Sequence, residues 1–152
     1  MISEADRSAI QDLLSRYCHS IDAHRADLCA GLFTDDATLE TPVGTAVGAA
    51  AIREWIDGRL AQRRAGIQVR HLVLSTLLAP VDADRVRARS VLLYTWETLE
   101  VPREASVKST VIYEDVVRRT SEGWRFSART CDTQLPLDDV YFGAPGRLSG
   151  PR

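Results

Sequence analysis

Asp22 and His71 are the residues whose types and positions fit a purely structural role least well. Asp22 lies four residues after Cys18, so it extends the apolar stripe Ile10, Leu13, Leu14, Tyr17, Cys18 and Ile21 to the end of a helical segment. An acid is poorly placed there, facing the negative end of the helix dipole beside the core. A solvated last-turn aspartate that caps the following loop is the alternative reading. His71 falls between Val69 and Val73 in a run of period two, so it points into an apolar space. A lone histidine in such a place is ordinarily a hydrogen-bonded core residue. A histidine that faces a buried carboxylate is different, because the carboxylate fixes the imidazole tautomer and makes the ring a stronger general base. Spacing alone leaves open whether Asp22 and His71 meet.

Two further polar residues are candidates. Tyr17 shares the buried stripe, five residues before Asp22. A buried phenol needs a partner, which is either a structural hydrogen bond or an oxygen that gains charge during a reaction. Arg129 lies on the last strand, opposite Trp124 and Phe126 if alternation is regular, which makes it a surface residue. A bulge would turn it inward. Trp55, Leu92, Tyr94, Trp96 and Ile112 are candidates for lining a pocket for an apolar or aromatic ligand. His19 and His24 are close in sequence, but no ligand cluster surrounds them, so no metal site is expected. There is no Gly-x-Ser-x-Gly, no phosphate-loop spacing and no cysteine with a base beside it, and no cofactor is expected.

The elements that must position these residues follow from periodicity. Ser3 with Asp6 three residues on resembles a capping box that opens the first helix. A second helix is expected over 26–32, with Leu28, Cys29 and Leu32 inward. A turn at 33–36 leads into a short strand over 37–41. Pro42 and Gly44 mark a turn, and Gly48 opens a third helix with Ile52, Trp55, Ile56, Arg59 and Leu60 at helical spacing. Arg63 and Arg64 suit the end of that helix, and Gly66 its C-cap. From Gln68 the period becomes two. Val69, His71, Val73, Ser75 and Leu77 share one strand face, and Leu72, Leu74, Thr76 and Leu78 the other. Strands are expected over 85–98, 106–118 and 124–134, with Ser121-Glu122-Gly123 as a hairpin turn. Helices followed by long antiparallel strands indicate an α+β fold. The 68–78 strand is apolar on both faces, and the helices can cover one of them. A second copy of the chain is the simplest cover for the other, with loops or the tail as the alternative.

The chain has 152 residues, enough for one domain with a real core. Residues 1–135 read as that domain and 136–152 as a tail, of which 143–152 is rich in Gly and Pro and is expected to be extended. The tail is expected to pack over the pocket or a neighbouring subunit. Net charge is −2, which supplies no basic field for nucleic acid or an anionic membrane. Three cysteines without framework spacing fit a reducing cytoplasm. The polar start of the chain predicts no leader, and no apolar run is long enough to span a membrane.

Several stretches together resemble a known family. They are Ala9-Ile-Gln-Asp-Leu-Leu-Ser-Arg-Tyr17 with Asp22 five residues on, Leu32-Phe-Thr-Asp-Asp-Ala37, Gly44 to Gly48 leading into Ile52, Arg70-His71, and Tyr113-Glu-Asp115 to Gly123-Trp-Arg-Phe-Ser-Ala-Arg129. In this order they cover most of residues 5–135 and resemble the SnoaL-like branch of the nuclear-transport-factor-2-like superfamily. The resemblance is strongest to the subgroup with scytalone dehydratase, bile acid 7α-dehydratase and lindane dehydrochlorinase. The tail from Tyr141 to Gly146 is also similar to that of the dehydrochlorinase.

The resemblance implies a conical, strongly bent antiparallel sheet, a cystatin-like α+β barrel wrapped around the N-terminal helices with a pocket at its open end. It implies an Asp–His dyad, matched by Asp22 and His71, that removes a proton from carbon. Tyr17 matches a tyrosine of the dehydratases, where the dehydrochlorinase has a lysine, and Arg129 matches an arginine of the dehydrochlorinase. Bile acid dehydratase carries a further acid near the position of Tyr94, and this chain has none there, so Tyr94 or Tyr17 is left to serve the leaving group. The expected function is a cofactor-independent lyase of dehydratase type acting on a small cyclic or polyketide-like molecule, in a homo-oligomer (trimer or dimer). An isomerase or cyclase would use the same dyad. Non-catalytic binding proteins and dioxygenase small subunits share the fold, as do epoxide hydrolases, whose Asp–Arg–Asp arrangement Asp22, Arg129 and Asp132 would have to supply.

Overall fold

A computed structural model describes residues 1–143. Helix α1 (Glu4–Asp22) starts where the sequence places it: the Ser3 hydroxyl accepts the Asp6 backbone N–H at 3.1 Å. Its buried face is the stripe Ile10, Leu13, Leu14, Tyr17, Cys18 and Ile21. Helix α2 (Ala26–Ala30) is shorter than expected, because Gly31 caps it, and Leu28 is exposed rather than inward. Helix α3 (Ala49–Ala61) buries Ile52, Ile56 and Leu60. Its N-cap Gly48 has φ +86° and approaches the Asp35 carbonyl so closely that a Cβ would lie 3.3 Å from it, which is why glycine stands there.

Six strands follow the order β2-β1-β6-β5-β4-β3 in one curled, unclosed sheet. They are β1 (Phe33–Thr41), β2 (Gly44–Val47), β3 (Ile67–Pro80), β4 (Arg85–Thr98), β5 (Ala105–Thr120) and β6 (Gly123–Asp132). The four long strands β3 to β6 pair antiparallel, as expected. The sheet as a whole is mixed, because β1 runs parallel to β6. Strand β1 begins at Phe33, within the segment read as a turn; the turn marked by Pro42 and Gly44 falls at Pro42-Val43, and beyond it Gly44–Val47 forms a hairpin strand that the sequence reading did not mark. A parallel partner distant in sequence leaves no hairpin signal, and the polar run Thr34-Asp35-Asp36 hides the strand.

Three bulges bend the sheet, at Leu74 in β3, Lys108 in β5 and Ser127 in β6, each an extra residue with no counterpart across the ladder. The bulge at Leu74 reverses the expected alternation beyond it. Val69, His71 and Val73 point to the inner face, but Ser75 and Leu77 turn outward, and Thr76 and Leu78 turn inward. Leu72 (43%), Leu74 (60%) and Leu77 (40%) are therefore exposed on the outer face. The start of the tail packs on that outer face too, rather than over the pocket. Arg89 donates to the carbonyls of Leu135 and Pro136, Arg87 bridges Asp138 and Glu114, and the Tyr141 hydroxyl donates to Glu114. Residues 144–152, with most of the segment expected to be extended, lie outside the described residues. Among the described residues, no helix is long and apolar enough to cross a membrane.

Candidate active site

The concave face of the sheet, α1 and the end of α3 enclose a cavity of about 490 Å³. Its apolar lining includes Val69, Leu92, Trp96, Val111, Trp55 and Leu60. Trp55, Leu92, Tyr94 and Trp96, four of the candidate lining residues, all border it. Ile112 does not: it pairs with Val91 on the outer face, and its neighbour Val111 lines the cavity instead. Three consecutive apolar residues, Val111-Ile112-Tyr113, conceal which parity faces inward.

His71 lies in the wall, and Asp22 holds it at two points. The Asp22 Oδ1 is 2.5 Å from His71 Nδ1, and Oδ2 accepts the His71 backbone N–H at 2.9 Å. The two side chains are only 10% and 9% exposed. Asp22 can hold the strand because β3 is the edge of the sheet, so its free backbone N–H faces the end of α1. A carboxylate accepts, so Nδ1 carries the proton, and Nε2 keeps its lone pair for a ligand. Tyr94 packs beside the imidazole with ring centroids 4.9 Å apart.

Tyr17 and Tyr113 form the aromatic floor, 5.9 Å apart and edge to face. Burial pushes both phenols above their ordinary pKa, so both are neutral donors. Arg129 lies behind this floor rather than in the cavity lining. The Ser127 bulge turns it inward, onto the same side as Trp124 and Phe126. Its Nε and Nη2 donate to Asp115 at 2.7 and 2.8 Å, and both side chains are 0% exposed. Its guanidinium carbon is 4.0 Å from the Tyr17 ring, 4.1 Å from Phe126 and 4.2 Å from Tyr113. Burial raises the Asp115 carboxyl and Arg129 opposes that shift; burial likewise disfavours the charged guanidinium, but Asp115 more than compensates and holds it well above its usual value. Arg129 can therefore act on a ligand only through the tyrosines above it. The epoxide hydrolase arrangement does not form, because Arg129 pairs with Asp115, Asp22 with His71, and Asp132 bonds the adjacent Thr133.

The sequence reading missed Tyr113, Asp115 and the lining role of Arg59, Arg63 and Arg64. An acid two residues beyond Tyr113 on the inner face was the available signal for the buried pair. Cys131 also lines the cavity, but burial pushes its thiol up to about 11, so it is no nucleophile at neutral pH. Among the described residues, no group of three His, Cys, Asp or Glu side chains is placed to hold a metal.

A SnoaL-like domain model matches residues 3–130. The fold is similar to that of a Novosphingobium aromaticivorans protein provisionally named an aromatic ring hydroxylase, at TM-score 0.76 and 26% identity, with 97% of each chain covered. It is also similar to a protein of the same organism provisionally named a scytalone dehydratase, at TM-score 0.72 and 20% identity over 86% of this chain and 85% of that one. ActVI-ORFA of Streptomyces coelicolor matches at TM-score 0.74 and 19% identity, over 83% and 95% of the two chains. None of the curated proteins matches. With the model spanning both the helices and nearly all of the sheet, the chain belongs to the SnoaL-like domain family.

Proposed function

We propose that the chain is a cofactor-independent lyase of dehydratase type acting on a small cyclic or polyketide-like molecule. The observation that carries this reading is the two-point grip of Asp22 on His71 at the wall of a largely apolar cavity. His71 Nε2 takes a proton from the carbon beside a carbonyl, and Asp22 stabilises the imidazolium that forms. Tyr17 donates to the carbonyl oxygen as it gains charge. The electron pair then forms the carbon–carbon double bond as the β-hydroxyl leaves. The proton on Nε2 passes to that hydroxyl, directly or through Tyr94, and water is released. Arg129 serves as a positioning residue beneath Tyr17.

General-base catalysis of this kind contributes roughly a hundred- to ten-thousand-fold. One oxyanion donor adds on the order of 3 kcal/mol. An isomerase or cyclase would begin with the same proton transfer, and the product distinguishes them. The three free thiols and the exposed leucines of β3 fit a cytoplasmic homo-oligomer that covers its outer sheet face.

The test uses a panel of cyclic β-hydroxy ketones, followed by the ultraviolet absorbance of the conjugated product and by deuterium uptake at the α-carbon. His71→Ala and Asp22→Asn should each lose at least a hundredfold in turnover with the fold intact. In Asp22→Asn, the imidazole nitrogen shifts should show loss of the single Nδ1–H tautomer. Full activity in either variant sinks the mechanism, and deuterium uptake without loss of water moves the assignment to an isomerase.

A further inference from the structure

The cavity mouth carries charge that the elimination chemistry does not use. Arg59 from the last turn of α3, and Arg63 and Arg64 just beyond it, all line the cavity. A single basic residue at a helix C-terminus needs no further explanation, since it faces the negative end of the dipole. Three guanidinium groups facing one cavity, in a chain of net charge −2, exceed that need. Arg59 donates to the Gln62 side chain at 3.3 Å and Arg63 to the Ile21 carbonyl at 3.0 Å. Among the described residues, none of the three is in an ion pair with a carboxylate. Asp132 is the only acid in the described lining, and its carboxylate is engaged by the backbone N–H of Thr133 at 2.5 Å. Asp22 is likewise committed to His71.

The placement of Arg63 ties this charge to the reactive end of the cavity. Its bond to the Ile21 carbonyl anchors the guanidinium at the residue before Asp22, the carboxylate that holds His71 in the wall of the same cavity. Much of the remaining lining is apolar or aromatic, including Trp55, Ile67, Val69 and Leu92. Taking the same cavity as the substrate site, and so resting on the proposed function, we infer that it takes a ring-bearing apolar molecule that also carries an anionic oxygen group, a carboxylate or a phosphate, held at the mouth by Arg59, Arg63 and Arg64. The planar donors of guanidinium suit both anions, and the apolar wall accepts the ring.

The experiment is isothermal titration of the full chain with 2-naphthoate, 2-naphthyl phosphate and the neutral 2-naphthamide, at neutral pH and low salt. At least one anion should bind ten-fold or more tightly than the amide, and the tighter of the two names the group. The advantage should shrink as added salt screens exposed charge. Arg59→Gln with Arg64→Gln should remove most of it, with far less effect on naphthamide. Arg63 is kept in this variant because its bond to Ile21 supports the end of α1. Anions that bind no better than the amide, or a preference undiminished in the double variant, would overturn the inference. His71→Ala separates the two readings. An anion preference retained there, with no elimination activity in the native protein, leaves this inference standing and removes the dyad mechanism. Elimination activity without the preference does the reverse.

Discussion

Removing the charge of Asp115 should cost much more stability than removing Arg129, although the two form one ion pair. Both side chains are fully buried, and the pair is joined at two points of 2.7 and 2.8 Å. The Nη1 of Arg129 already lacks a partner. In Asp115→Asn the guanidinium stays charged, because it cannot lose its proton, and it is left among three aromatic rings. Breaking a buried pair in this way costs about 3–5 kcal/mol. That is a large share of the roughly 5–15 kcal/mol available to a small domain. In Arg129→Met the surviving carboxyl can escape by taking up a proton, because burial already raises its pKa.

The pH dependence separates the two variants. In Arg129→Met the folded-state pKa of Asp115 stands above its unfolded value, so the folded state binds the extra proton. Stability is then fully present below the ordinary carboxylate range and falls by about 1.4 kcal/mol per pH unit as pH rises toward the folded pKa. In Asp115→Asn nothing in the pair titrates, so the pair adds no pH dependence to that variant's own stability. Urea unfolding at several pH values reads both effects. Combining Asp115→Leu with Arg129→Met should cost clearly less than the two single changes added together, since neither partner is left unpaired. A cost below about 1 kcal/mol for Asp115→Asn, or a pH-independent cost for Arg129→Met, would refute the reasoning.

Other consequences are simpler to check. The Ser3 hydroxyl, Arg119 and Trp124 bond to Asp6 and lower its pKa from 3.8 to about 2. Its contribution is therefore present above the ordinary carboxylate value and lost as pH falls toward about 2, and Asp6→Asn should flatten the acid limb of a stability–pH curve over that window. Burial lifts the thiols of Cys18 to about 12 and of Cys29 and Cys131 to about 11, so a disulfide reagent at pH 8 should label none rapidly until the protein is unfolded; fast stoichiometric labelling of the native chain would contradict this. Leu74 is 60% exposed on the outer face, and if the proposed homo-oligomer forms through that face, Leu74→Lys with Leu72→Lys should lower the mass seen by light scattering to that of the single chain. An unchanged mass would mean that this face is not the interface.

The elements legible in the sequence are those whose signals are local. The stripe from Ile10 to Ile21 sets the inner face of α1 and carries Tyr17 and Asp22 with it. The inward direction of His71 follows from Val69 and Val73 because all three precede the bulge at Leu74. Signals that depend on distant partners were not legible. Nothing near Phe33 announces a parallel strand paired with Phe126, and the charged run after it reads as a turn. The contact of Asp22 with His71 joins residues 49 apart, and periodicity can bring each only to its own buried face.

The failures of parity reading share a physical origin with the cavity. Each bulge adds one residue to one strand, which reverses which side chains face inward beyond it and also bends that strand. Ser127 stands two residues before Arg129, which it turns inward under the aromatic floor. Leu74 stands three residues after His71, and beyond it the outer face gains Leu77. Lys108 precedes Val111 and Tyr113, which line the cavity. A regular sheet of these strands would obey strict alternation and would have fewer points at which to curve around α1. The irregularities that upset a two-residue count are therefore the ones that make a concave face, and candidate site residues in such a sheet are best assigned from anchors on the same side of a bulge. His71 has such anchors in Val69 and Val73, whereas Arg129 is cut off from Trp124 and Phe126 by the bulge at Ser127.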